Sequence, residues 1–184
     1  MKVGTKSVLW GVHAFWWHPL TVLVAWRKLY GSYPNWWETV AIILHDTPGY
    51  FGCAEMDGPE GELHPERGAR WTRAVVKFFG GPADEAYYLA RYHSRFYAFK
   101  CGAAPSKLAW ADKLCVHYDP KFFYLLRAKL SGEIAEYRRN AAECVPLWLP
   151  DSHWLFWYRE KVTKQVAGRV PATAGHHIDG DNKA

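Results

Sequence analysis

His45 and Asp46 stand side by side at the end of an apolar run, VAIIL, where a pair of ionisable groups costs desolvation energy unless something compensates it. Asp112 has a similar setting in LAWADKLCV, and His18 opens the apolar segment HPLTVLVAW. His64 in HPERG and His93 in YHSRF add two imidazoles between Asp46 and Asp112. Imidazole nitrogens and carboxylate oxygens together suit zinc, iron, manganese and similar borderline divalent ions. Histidines brought from several helices to a carboxylate-rich centre would form a metal site inside a helical bundle. His13 is a near alternative to His18 and otherwise reads as a supporting or core histidine. His117, His153, His176 and His177 read as ordinary surface residues, the last two able to bind metal adventitiously.

The elements that must position these groups read as helices. Apolar spacing, Asn35 as a cap and the glycines and prolines between segments predict helices over Val12 to Tyr30, Trp36 to His45, Pro65 to Phe79 and Asp84 to Phe99. Further helices are expected over Ser106 to His117, Lys121 to Cys144 and Ser152 to Val166. Pro19 belongs in a first turn or at a kink. Cys53 to Glu62, with Glu55, Asp57, Glu60 and Glu62, reads as an ordered acidic surface loop. No run alternates with period two, so the fold class is all-α. Residues 1–166 form one helical bundle, and 167–184 form a small, polar tail.

Composition sets the outer bounds. With 49% hydrophobic and 22% charged residues in 184, the chain is neither disordered nor collagen-like, and it fits one domain with one sizeable core. Aromatic residues reach 17%, which calls for a dense core or a broad binding surface. The pairs Trp16-Trp17 and Trp36-Trp37 cannot both point inward from one helix, so some indoles are expected at the surface. The net charge of +5 favours anionic ligands without choosing among nucleotide, nucleic acid and lipid. Cys53, Cys101, Cys115 and Cys144 are far apart and read as reduced thiols of a cytoplasmic protein. Val8 to Trp26 is long enough to span a bilayer, but its histidines, proline and tryptophans favour a buried amphipathic helix.

The order His18, His45-Asp46, Asp112 resembles the H…HD…D signature of the HD-domain superfamily of metal-dependent phosphohydrolases. HPLTVLVAWRKL is similar to the first helix of that family, and IILHDTPGYFG is similar to its apolar helix ending in His-Asp and a glycine-containing loop. With His64 followed by Gly68-Ala69, and with His93, the order H…HD…H…H…D resembles the dinuclear branch. That branch includes cyclic-nucleotide and cyclic-dinucleotide phosphodiesterases and the HD-type diadenosine tetraphosphate hydrolases. The likeness runs from about residue 6 to about residue 120 and extends to small uncharacterised HD proteins of bacteria and phages.

The resemblance implies an HD-type bundle with its metal site in the core. His18, His45, Asp46, His64, His93 and Asp112 would be the ligands of a divalent metal, expected as two ions of iron, manganese or zinc, with cobalt or nickel as substitutes. Asp46 would bridge them, and a metal-activated hydroxide would cleave a nucleotide or related small phosphate ester. The chain departs from the family in two respects: TPGYFG lacks the lysine that some dinuclear relatives carry after His-Asp, and no HHE or GYP signature is present. No segment marks a nucleobase pocket.

Phosphate oxygens need cations near the metal, and Lys6, Arg67, Arg95 and Lys113 are the candidates. Arg95 and Lys113 lead as catalytic residues with Asp46, because they adjoin proposed ligands. Asp57 or Glu60 is a candidate proton donor to the leaving group. The expected partner is a small anionic phosphate substrate, with no stable nucleic-acid binding and an open oligomeric state. Competing readings are a non-catalytic HD module that binds a nucleotide or protein partner, a di-iron HD-fold oxygenase, and a peripheral membrane protein.

Overall fold

The computed structural model describes residues 10–47 and 61–168. Among them are nine α-helices and no strand: α1 His18–Tyr30, α2 Trp36–Leu44, α3 His64–Phe78, α4 Ala83–Arg91, α5 Arg95–Lys100, α6 Lys107–Leu114, α7 Lys121–Leu130, α8 Glu133–Asn140 and α9 Asp151–Ala167. The all-α fold class is as expected. Lys6, Cys53, the acidic loop with Asp57 and Glu60, and the tail beyond Gly168 lie outside the described residues.

α2 starts as its sequence directs. The Asn35 side chain accepts a hydrogen bond from the Glu38 amide at 3.0 Å, and the Glu38 carboxylate accepts one from the Asn35 amide at 2.9 Å. This reciprocal cap satisfies two orphan donors, an arrangement worth about 1 kcal/mol.

Three expected helices are shorter or broken, each for a local reason. α1 starts at His18 instead of Val12, with Pro19 in its first turn. The carbonyls of Gly11 and Val12 accept from the buried Arg127 guanidinium at 2.8 and 3.1 Å, so this segment is tied to α7 as turns. The helix expected over Asp84 to Phe99 is two helices, α4 and α5. Ser94 leaves the helical conformation and accepts from the Tyr97 amide, capping α5 and turning the chain at His93. The helix expected over Lys121 to Cys144 breaks at Gly132, whose φ of 80° is readily open only to glycine.

α3 packs most extensively against α4, α2 lies on both, α1 lies along α6, and α9 covers α6 and α7. α1 turns Val22, Ala25 and Trp26 inward to meet Ile42, Ala69, Leu89 and Leu108 in one core. Ile42 and Leu108 are fully buried, and truncating either to alanine would cost about 2–5 kcal/mol. Trp16 and Trp36 stay substantially exposed. Among the described residues no helix is long and apolar enough to cross a membrane.

Candidate metal centre

Six side chains from five places in the chain end within a few ångströms of one another. His18 comes from the first turn of α1, His45 and Asp46 from the end of α2, His64 from the start of α3, His93 from the α4–α5 turn and Asp112 from α6. His18, His45, Asp46 and His93 are buried. All six sequence-derived ligand candidates are therefore brought together.

The cluster divides about Asp46. His18 Nε2 lies 3.6 Å and His45 Nε2 3.4 Å from Asp46 Oδ2, and the two imidazole nitrogens are 3.3 Å apart. Asp112 Oδ1 completes this half, 2.9 Å from His18 Nε2 and 3.8 Å from His45 Nε2. The other Asp46 oxygen, Oδ1, faces His64 Nε2 at 3.6 Å and His93 Nε2 at 3.2 Å, with those nitrogens 3.2 Å apart. One carboxylate thus presents each of its oxygens to a different set of donors.

The donor set fits divalent cations on two grounds. Ligands bonded at about 2.0–2.2 Å to one ion stand roughly 2.8–3.6 Å apart in octahedral or tetrahedral arrangements, close to the separations found here. The second ground is the state of the imidazoles. The Nδ1 atoms of His45, His64 and His93 each lie 2.7 Å from a backbone carbonyl, of Ile42, Gly61 and Ala90 respectively. A carbonyl only accepts, so each Nδ1 is assigned a proton; Nε2 is then the atom turned into the cluster, a bare lone pair in a neutral ring and, for His45, one that a cation exposes by displacing the second proton. That orientation by an outer hydrogen bond is how metal-binding histidines are held. Asp112 Oδ1 is buried yet accepts no hydrogen bond of good geometry, for all its closeness to His18.

The electrostatics agree. Burial alone would push the Asp46 and Asp112 carboxyls up, but neighbouring imidazoles hold both well below the usual carboxylate range: His45 and His93 for Asp46, His18 and His45 for Asp112. Burial lowers His18 despite Asp112, and lowers His64 to about 4 despite Asp46. For His45 burial also works downward, but Asp46 and then Asp112 outweigh it and raise the ring to about 10.

Two neighbours went unassigned as ligands in the sequence. His13 packs edge-on against His18 with ring centroids 4.9 Å apart, and donor atoms of His13, His18 and Asp46 all lie within 4.8 Å of one another. His13 is therefore beside the cluster together with His18, not in place of it. Cys115 Sγ stands 3.6 Å from His18 Nδ1, where the other three rings have a backbone carbonyl. Its distance from His18 in sequence hides this contact.

Above the His64–His93 half is a cavity of about 320 Å³, lined by Asp46, His93, Arg95, Lys113 and His13 among others. Arg95 packs its guanidinium 5.9 Å from the centre of the Trp110 ring. Burial, then the nearby Arg95 charge, lowers Lys113 from its ordinary value. Arg67 does not line this cavity. A second cavity of about 370 Å³ shares His13, Asp112 and Lys113 with the first and runs from His18 under α8 and α9. His117 Nε2 lies 3.0 Å from the Arg159 carbonyl, to which it can only donate, and 3.1 Å from Thr163 Oγ1, away from the cluster. Cys101, Cys115 and Cys144 are free thiols.

No family model, curated protein or solved structure matches this chain.

Proposed function

We propose that this protein is a metal-dependent phosphohydrolase of the HD type, acting on a small phosphate ester such as a nucleotide. The observation that carries the proposal is the division of the Asp46 carboxylate, Oδ2 toward His18 and His45 and Oδ1 toward His64 and His93. Such a carboxylate is suited to hold two cations side by side, with Asp112 completing one shell. Bound there, the ions would supply a water of lowered pKa and positive charge for the phosphoryl oxygens.

The chain's own groups have separate tasks. Asp46 and Asp112 bring two negative charges that offset the repulsion between cations. The backbone carbonyls behind His45, His64 and His93 fix which ring nitrogen faces inward. Arg95 and Lys113 line the cavity over the cluster, where they would bind the phosphate oxygens of the substrate. In the overall reaction a P–O bond breaks, water's oxygen joins phosphorus, and the departing alcohol takes a proton. The cations lining the cavity support an anionic substrate, and phosphate release against oxygen uptake separates this reading from an oxygenase with the same donor set.

Metal analysis of anaerobically purified protein, followed by phosphate release from a nucleotide and phosphate-ester panel with Mn²⁺, Fe²⁺ and Co²⁺, tests it. Two ions per chain are expected, none in Asp46→Ala, and one in His64→Ala. Full metal content and turnover in Asp46→Ala would defeat the proposal. Oxygen uptake without phosphate release would turn it toward the oxygenase.

A further inference from the structure

The second cavity has walls unlike those of the metal cluster. Trp154, Trp157, Tyr158 and Lys161 stand at positions i, i+3, i+4 and i+7 of α9, which places them on one face of that helix. All four line the cavity, together with Tyr124 and Tyr137 from α7 and α8. The rings lie parallel: Trp154 is stacked at 6° on Tyr158 and at 11° on Tyr137, with centroids 5.2 and 5.7 Å apart, and beside this stack Trp157 is a half-buried ring in the lining. Tyr124 and Trp154 are 2% and 3% exposed and are the most deeply buried of these rings.

Polar groups in these walls are few and placed to be used. The Trp154 indole N–H is buried without a hydrogen-bond partner among the described residues, a state that costs free energy unless an acceptor meets it. The Asn140 amide, a donor and an acceptor on one side chain, is also in the lining. At the other end the cavity reaches His18 and Asp112 of the cluster, and Lys113 belongs to both cavities. Lys161 holds its ammonium 4.9 Å from the centre of the Trp157 ring.

We infer that this cavity receives the ring-bearing half of the substrate, so that the substrate class is a phosphate ester whose alcohol carries a planar, hydrogen-bonding ring of nucleoside size. The inference rests on the phosphohydrolase reading for the position of the phosphate, which would stand at Lys113, where the two cavities meet. The ring half stands on separate observations. Flat aromatic walls stack on planar rings with little regard to their identity. A half-open cavity of about 370 Å³ is of the size that binds compact organic molecules. A bare sugar phosphate or glycerol phosphate would leave the aromatic walls and the indole N–H unmatched.

The test separates ring binding from hydrolysis. Ligand-observed NMR and calorimetry on the metal-free full-length chain, and on Asp46→Ala, use adenosine, uridine and ribose as probes. The nucleosides are expected to bind both proteins and ribose neither. Trp157→Ala should weaken nucleoside binding at least about fivefold, with Trp157→Phe retaining most of it. Asn140→Ala, a change at an exposed position, gives a second weakening without loss of the core. Metal-loaded protein is then assayed on nucleoside monophosphates, phenyl phosphate and ribose 5-phosphate, and kcat/KM should be at least tenfold higher for the ring-bearing esters. The nucleotide and phenyl arms show whether the ring must be a base. Nucleoside binding without phosphate release from any ester would keep the ring site and remove the hydrolase. Ribose 5-phosphate cleaved as well as nucleotides, with no nucleoside binding and no effect of Trp157→Ala, would overturn the ring site and leave the hydrolase standing.

Discussion

A Cβ built on residue 68 would stand 2.0 Å from the carbonyl oxygen of His45, so α3 meets the end of α2 backbone to backbone at Gly68. Nothing but hydrogen fits there, and the neighbour is a main-chain atom next to two proposed ligands. In an open helix Gly→Ala is stabilising by up to about 1 kcal/mol. Here the sign reverses: Gly68→Ala must push α3 from His45, at a cost of about 1–3 kcal/mol typical of overpacking. The expected outcome is a lower melting temperature together with reduced metal content. An alanine variant as stable as the parent and fully metal-loaded would show that the contact relaxes freely.

The clustered residues were legible because ionisable side chains interrupt apolar runs, and that disturbance survives in one dimension. His45-Asp46 and Asp112 announce themselves this way, and the fourth-residue rhythm of the helices places them on inward faces. The turn at His93 was hidden, since the local propensity of YLARYHSRFYAF is helical throughout and a serine inside such a run does not by itself mark a cap. The start of α1 at His18 depends on Arg127, 116 residues from Gly11, and no local signal carries that bond. The aromatic cavity was readable in principle from Trp154, Trp157, Tyr158 and Lys161 at helical spacing, but such a stripe looks the same as an ordinary core face until α7 and α8 are placed beside it.

Glu66 and Arg91 fasten the second half of the cluster from outside. Glu66 lies two residues after His64 and Arg91 two before His93, and their side chains pair at 2.9 Å. Tyr87 also donates to Glu66, at 2.9 Å. This pair sets the distance between the start of α3 and the α4–α5 turn, so it is a positioning device that touches no ligand. Arg91→Ala should weaken metal binding at the His64–His93 half by up to about tenfold, the least that a partner bonded directly to a ligand contributes, and leave the His18–His45 half nearly unchanged. Stepwise metal titration by calorimetry measures both constants; equal weakening of the two would mean general loosening of the fold.

Metal binding should release protons, and His45 is their main source. Its ring is raised to about 10 in the metal-free protein, so at neutral pH it carries a proton that a cation must displace. His64, lowered to about 4, is already neutral and releases none. Metal affinity therefore rises between pH 6 and 8. About one proton per chain should be released at neutral pH, read from calorimetry in buffers of different ionisation heat. The same shift has a consequence for the metal-free protein. A raised folded-state value stabilises below the ordinary value of 6.5 and loses that contribution as pH climbs toward about 10. Adding metal should abolish this alkaline loss of stability.

Arg95 and Lys113 decide whether the cavity over the cluster is an anion site. Each adjoins a proposed ligand, His93 or Asp112, and each lines that cavity. One helical residue turns the chain by about 100°, which could have sent Lys113 into solvent beside a buried aspartate. Instead it is half-buried between the two cavities, with its ammonium destabilised by burial and by Arg95. Among the described residues neither forms an ion pair, and Asp112 only partly offsets the effect of Arg95 on Lys113, so an arriving phosphate would relieve both cations, most of all as charge builds on its oxygens. Arg95→Ala and Lys113→Ala in metal-loaded protein should each lower kcat/KM by at least about tenfold, with metal content unchanged. A change within about twofold, under ~0.5 kcal/mol, would make them bystanders. A rise in KM alone would place them in substrate capture, whereas a fall in kcat would place them at the transition state.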